Sequence, residues 1–281
     1  MSSLRSIATL TRLTLHEAMR RRILLAALIC GGAFLILFTG GLNAILSGTR
    51  DHAHMTLIER RVMVNMLTLA GLYAVNFLVV MTSVLLPVDT LSGEIQSGVI
   101  QTLASKPIRR SEIVLGKWLG HWLIMAAYLG LLAGGVLAIV RLMGHFTPPD
   151  IAIGIPLMLL EGTVLLTLSI AGGAKLSTVT NGIMAFGLYG LAFIGSWVEQ
   201  IGAITGHDNA RYVGTLASLI MPSEALWQLA AYHMQPSMLR QLAATPFSPA
   251  SVPSVAMVIW AAAYVAVALA IGVRAFQKRP L

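Results

Sequence analysis

Residues 88–117 read VDTLSGEIQSGVIQTLASKPIRRSEIVLGK, a polar stretch with a basic end set between two long apolar runs. Val88, Leu91, Ile95, Val99 and Leu103 recur every three or four residues, which places them on one face of a helix. Ser92, Glu94, Gln96, Ser97 and Gln101 fall on the other faces. The pattern predicts an amphipathic helix at a membrane surface. Asp89 and Glu94 stand towards its positive end and Lys106 at its negative end, as the helix dipole favours, and Pro107 stops it. Gly93 and Gly98 each weaken the interior by about 1 kcal/mol relative to alanine, so the helix is open to a break into two short pieces.

The flanks of this stretch decide the medium. Of 281 residues, 57% are hydrophobic and 11% charged, against roughly 25% charged in a soluble domain. Runs free of Lys, Arg, Asp and Glu cover residues 23–49, 62–88, 118–140, 176–198 and 241–273, and the run 151–174 is broken only by Glu161. Each is long enough for the 18 or so residues that cross a hydrocarbon core. Backbone groups in lipid must bond within their own segment or in a closed barrel, and the alternating ten-residue segments of a barrel are absent. The fold class is therefore all-α integral membrane, with six transmembrane helices at about 23–47, 62–88, 112–141, 151–174, 176–198 and 253–274. The first run is too long for a cleavable signal peptide and lacks a small-x-small site, so it stays as the first span.

Lys and Arg give the orientation. With the N-terminus inside, thirteen of the 19 lie in inner segments and six (Arg50, Arg60, Arg61, Arg141, Arg211, Arg240) in outer ones. Both termini are expected in the cytoplasm of a multi-pass inner-membrane protein. The formal net charge of +8 follows from this topology, and nucleic-acid binding is not needed to explain it. The single Cys30 excludes disulfides and cysteine-based metal sites within one chain.

Along the chain, residues 1–22 carry Leu4, Ile7, Ala8, Thr11, Leu15 and Met19 on a helical stripe beside Arg5, Arg12 and Arg20–Arg22, the pattern of an amphipathic elbow on the inner leaflet. His16-Glu17 begins a zinc motif that Arg20 breaks. His52 and His54, in the loop after the first span, are expected to be solvated, because three convergent ligands are the usual minimum for a metal. Fourteen methionines raise a copper reading, but methionine is a common filler of apolar spans. Asn65, Tyr73 and Asn76 in the second span mark a face turned towards other helices or a cavity. Ser111 is expected to cap the third span, with Trp118, His121 and Trp122 as anchors at its cytoplasmic entry. Glu161 is the one acidic residue that must sit deep in a span. It serves either as a cavity or coupling carboxylate or as a packing carboxyl held by a neighbouring polar group. Gly182, Gly187, Gly190 and Gly195 in the fifth span allow close helix approach, either to a second subunit or within the monomer. The segment 199–252 is expected outside, with Met221-Pro222-Ser223-Glu224 starting a capped helix that lies along the outer surface. Trp227 and Tyr232 on it fit an outer gate or interfacial anchors.

No nucleotide site is encoded. Gly116-Lys117 is followed by Trp118 and preceded by no suitably placed glycine, so the phosphate-cradling P-loop is missing. No nucleophile, base and acid converge in the sequence, so this chain is not expected to be an enzyme and has no catalytic residues.

The run Glu94-x-x-x-Gly98, then Leu103, Pro107, a basic pair, Glu112 and Gly116-Lys117 resembles the signature that follows the second span of ABC-2 type exporter permeases. The resemblance implies a single transmembrane domain over 1–281 with an elbow helix at 1–22 and a cytoplasmic coupling helix within 89–110. It implies that Leu91, Glu94, Ile95, Gly98, Leu103 and Pro107 meet a separate ATPase, and that ATP and Mg²⁺ bind to that partner, two copies of which serve two permease chains, identical or related. Lacking a large outer domain, the chain is most similar to compact permeases, including those that accompany copper-enzyme maturation. Two other classes share the topology: an ion-coupled secondary transporter using Glu161, and a membrane scaffold.

Overall fold

The computed structural model describes residues 3–51, 56–98, 109–237, 240 and 251–279. The described residues form helices and connections only. Helix α1 covers Ser3–Met19, α2 Arg22–Asp51, α3 Leu57–Leu85 and α4 Ser92–Gln96. Then come α5 (Arg110–Ile139), α6 (Ile151–Gly173), α7 (Thr178–Thr205), α8 (Asp208–Ile220), α9 (Ser223–His233) and α10 (Val255–Lys278). A π turn, Val140–Gly144, continues α5. Six of these helices, α2, α3, α5, α6, α7 and α10, are long and apolar enough to cross a membrane, as expected. Val99, Leu103, Lys106, Pro107, His52 and His54 lie outside the described residues.

The core gathers where α3, α5 and α6 meet. Leu72, Val75 and Val79 of α3, Met125 and Leu129 of α5, and Met158 and Leu165 of α6 are all fully enclosed. Burying such a side chain contributes about 1.5–3 kcal/mol in water, but in lipid the gain comes from close packing and polar contacts instead. Glycines set that closeness. A Cβ on Gly162 would stand 2.6 Å from the Met125 sulfur, and one on Gly272 2.9 Å from the Ala171 backbone. The outer helices α2 and α10 have few fully buried residues, the state of helices at the lipid-facing edge of a bundle.

Helix α1 packs against the first turns of α5. Gly116 and Gly120 lie one turn apart on α5, and an added Cβ would fall 2.5 Å from the Cβ of Leu10 and 2.7 Å from the Cβ of Thr14. The Thr11 hydroxyl donates to the Gly116 carbonyl at 3.2 Å. Both chain ends share one end of the bundle, because Arg110 at the start of α5 donates to the carbonyls of Gln277 and Arg279, and Arg279 donates to that of Ala174.

Several local expectations are corrected. The cap of α5 is Arg109, whose backbone N–H is received by Glu112 at 3.4 Å, and not Ser111. Trp118 and Trp122 are bound inside the bundle: their indole N–H groups donate to Thr167 and Thr163 of α6 at 2.8 and 2.9 Å. The helix that starts at Ser223 does not lie along the surface. Helix α8 turns back at Gly206, which takes a left-handed φ of 71°, and runs against α7. There, added Cβ atoms on Gly195 and Gly214 would collide at 2.3 Å with Ala217 and Glu199. After Met221 and Pro222 the chain reverses again into α9, whose residues 223–231 are all buried, chiefly against α6. At its far end Met234 touches Gly154, and His233 and Arg240 approach Asp150. Helices α8 and α9 thus form a hairpin that dips into the bundle with its tip at residues 221–224.

Candidate functional site

Two polar centres stand out, one at the end bearing both termini and one at the hairpin tip.

At the first, α3 ends at Leu85 and a run of turns carries the chain to the five residues of α4. Gly98, at φ 72°, is in the left-handed region that glycine enters without the strain a Cβ would add, so the long helix expected over 88–103 is interrupted there. Leu91 is fully buried. Ser92, expected on a solvent face, is buried and shares a 2.8 Å hydrogen bond with Thr178 of α7. Ile95 is half-buried and packs against the core. Only Gln96 and Ser97 are exposed among residues 91–98.

Charges pin this segment to its neighbours. Glu94 pairs with Lys117 of α5, and Asp89 pairs with Arg21, which also bonds Glu17 of α1 at 2.5 Å. Burial raises the Glu94 carboxyl above its ordinary value and outweighs the Lys117 ammonium beside it. Burial also pushes Glu17 up, but the Arg21 hydrogen bond and the charges of Lys117 and Arg21 together hold it below its ordinary value. His121 closes the network. Its Nδ1 faces the Lys117 carbonyl at 2.8 Å and so carries the hydrogen, which leaves Nε2 of the neutral ring to accept from the Thr90 hydroxyl at 3.2 Å. Three elements, α1, α5 and the α3–α4 turn, are thereby tied through five charged side chains. The sequence had placed Glu94 on an outward face. The pattern gave no sign that Lys117, 23 residues later, would turn in to meet it.

At the second centre, Asn76 of α3 donates to Glu161 of α6 at 3.1 Å. Tyr73, one turn before Asn76, meets Trp227 of α9 with ring centroids 5.3 Å apart. Gln228 donates to Ser196 of α7 at 2.5 Å. Trp227 is 3% exposed, so it is an interior contact and not part of an outer rim. Tyr232, half-buried, receives the Arg240 guanidinium 4.4 Å above its ring. Asn65 is enclosed, and neither its Nδ2 nor its Oδ1 finds a hydrogen-bond partner. Glu224 and Ser223 at the hairpin tip are buried beside this centre. Ser223 does not cap α9, and its hydroxyl is unpartnered. Sequence reading had used Glu224 only as a helix-start residue. The missed signal was a second acid close to an apolar helix that has no basic partner in register. Among the described residues no group of three or more His, Cys, Asp and Glu side chains could hold a metal ion.

Six apolar spans, with a short polar bracket at one end of the core, make a polytopic membrane protein. Residues 12–281 match the family model of the ABC-2 family transporter protein, and the chain belongs to that family: it is a transmembrane permease of an ABC transporter. Such permeases usually work with an ABC ATPase partner and are transport components and not themselves enzymes. No curated protein matches the sequence.

Proposed function

We propose that this chain is the permease of an ATP-driven exporter of the inner membrane, with both termini cytoplasmic, and that a separate ATPase acts on residues 89–98. Two copies of the ATPase would bind ATP and Mg²⁺ and serve two permease chains. The observation that carries this reading is the ion-paired bracket. A push on the exposed Gln96 and Ser97 passes through Glu94 to Lys117 on α5 and through Asp89 to Arg21 beside α1. The Glu94–Lys117 pair is enclosed and the Asp89–Arg21 pair lies nearer the surface; rigid elements joined by charge pairs move together, so work delivered at the bracket tilts spans instead of bending a loop. In this reading α1 is the elbow. Leu91 and Ile95 seat the bracket, Glu94 transmits its motion, and Gly98 sets the bend that presents its outer face. Leu103 and Pro107 are assigned to the same bracket by the family signature.

A second permease chain is proposed to dock on α7. Added Cβ atoms on Gly187 and Gly190 would meet nothing within 4 Å, whereas Gly195 is filled by α8. Half of the glycine row is therefore spent within the chain and half is left open to another copy.

The test is co-expression with a candidate ABC ATPase subunit. Gln96→Trp, which blocks the exposed face of α4, is expected to abolish co-purification of the ATPase and ATP-driven transport while the permease still inserts. Retained co-purification and transport would overturn the assignment.

A further inference from the structure

The hairpin tip and the bundle enclose a set of acceptors that lack a donor. Asn76, Glu161 and Glu224 are 1%, 0% and 3% exposed and come from α3, α6 and α9. The helical register brings them together. Asn76 bonds Glu161, Tyr73 one turn away touches Trp227, and Trp227 lies one turn beyond Glu224, so the register sets Glu224 level with the Asn76–Glu161 pair. Glu224 is within electrostatic reach of Glu161, and Tyr73 of α3 and Tyr189 of α7 are within reach of both.

Among the described residues Glu161 Oε2, Glu224 Oε2 and Asn76 Oδ1 have no hydrogen-bond partner. All three are acceptors when the carboxyls are ionised. Of the two amide N–H donors that the trio supplies, one is spent on Glu161 Oε1. Among the described residues neither carboxylate has an ion-pair partner, and no basic group of α5 or α10 acts on either one. Two like charges withdrawn from water with nothing opposite them are among the costliest arrangements a membrane protein can hold. Positive charge brought in from outside the chain removes that cost. The ligand set, two carboxylates and an amide oxygen, is hard and suits a proton or an alkali ion; a soft transition metal would prefer sulfur or imidazole.

We propose that Glu161, Glu224 and Asn76 form an enclosed binding site for a monovalent cation, either a proton or an alkali metal ion, whose occupancy seats the α8–α9 hairpin in the bundle. The two carboxylates come from different elements, so filling the site draws α9 onto α6 and emptying it sets their charges in opposition. A helix whose seating depends on an ion provides a binding-linked element inside the translocation domain. The site is a property of the permease alone and stands whether or not the bracket meets an ATPase.

The test uses the purified full chain in lipid nanodiscs, without nucleotide. Its thermal midpoint is followed against pH in choline buffer, and against sodium, lithium or potassium at fixed alkaline pH. For a bound ion the midpoint is expected to move by on the order of 2–4 °C per tenfold change in ion concentration. In the Glu161→Gln, Glu224→Gln double variant the alkali-ion response is expected to vanish and the pH response to fall to the part that Glu17, Glu94 and the other titrating groups supply. A pH response that the double variant loses, with none to the alkali ions, identifies the proton, and a response to one alkali ion at constant pH that the double variant loses identifies a metal ion. Should the double variant fail to assemble, Glu224→Gln alone is expected to show a reduced response. A wild-type chain indifferent to both series, or variants that respond as the wild type does, would overturn the proposal.

Discussion

Glu94 and Lys117 form an ion pair in which both side chains are withdrawn from solvent, 13% and 5% exposed. A pair this enclosed behaves differently from a surface salt bridge, because removal of either partner strands the other charge in poor surroundings. It also joins two elements with different tasks. One is a short polar bracket and the other is the start of a span of 35 residues.

Lys117→Met is therefore expected to lower the stability of the permease by on the order of 3 kcal/mol, and the added change Glu94→Leu should recover most of it. Thermal unfolding of the two single variants and the double variant gives the coupling energy directly. Transport should separate from stability: the double variant, stable but with an uncharged joint, loses ATP-driven transport. A double variant that transports as well as the wild type would remove the pair from the path of work.

The contact between α1 and α5 depends on the absence of side chains at two positions. Gly120→Leu would drive carbon into Thr14 and the Thr11 carbonyl, 2.7 and 3.2 Å from an added Cβ, and overpacking of this kind costs about 1–3 kcal/mol. The variant should insert and lose the seating of α1, read as faster proteolysis within residues 3–19. Gly130→Leu, where an added Cβ meets nothing within 4 Å, is the control and should behave as wild type.

Much of this fold is written in the sequence because lipid leaves few choices. An apolar run of the right length must be a helix, and each of the six such runs holds one. Glu161 announces itself in the same way, as the one acid in a long apolar run. The hairpin of α8 and α9 was harder to see. Residues 199–220 are polar enough to pass for an outer loop, and only the pairing of Gly195 with Ala217 and of Gly214 with Glu199 across the turn draws them back onto α7. Periodicity shows which face of one helix is apolar but not which helix covers it. Ser92, Trp122 and Glu94 were assigned outward or interfacial positions for that reason, since their partners Thr178, Thr163 and Lys117 lie far along the chain.

The open half of the α7 glycine row carries a prediction about assembly. Leu191 is 42% exposed beside Gly187 and Gly190. In a chain whose Cys30 is replaced by Ser, Leu191→Cys is expected to cross-link two permease copies on mild oxidation in membranes. Cysteine placed at Ile36, 74% exposed on α2, is expected not to do so. Equal cross-linking at both positions would mean random collision and would sink the α7 interface.

The most direct measurement asks which side of the membrane the bracket faces. Ser97→Cys in the Cys30→Ser background places a single exposed thiol on it, to be probed with a membrane-impermeant maleimide in intact cells and again after permeabilisation. The account predicts no labelling in intact cells and full labelling once the membrane is opened, because the ATPase and its nucleotide are inside. Labelling of intact cells would put the bracket on the wrong side for any ATPase to reach and would contradict the account.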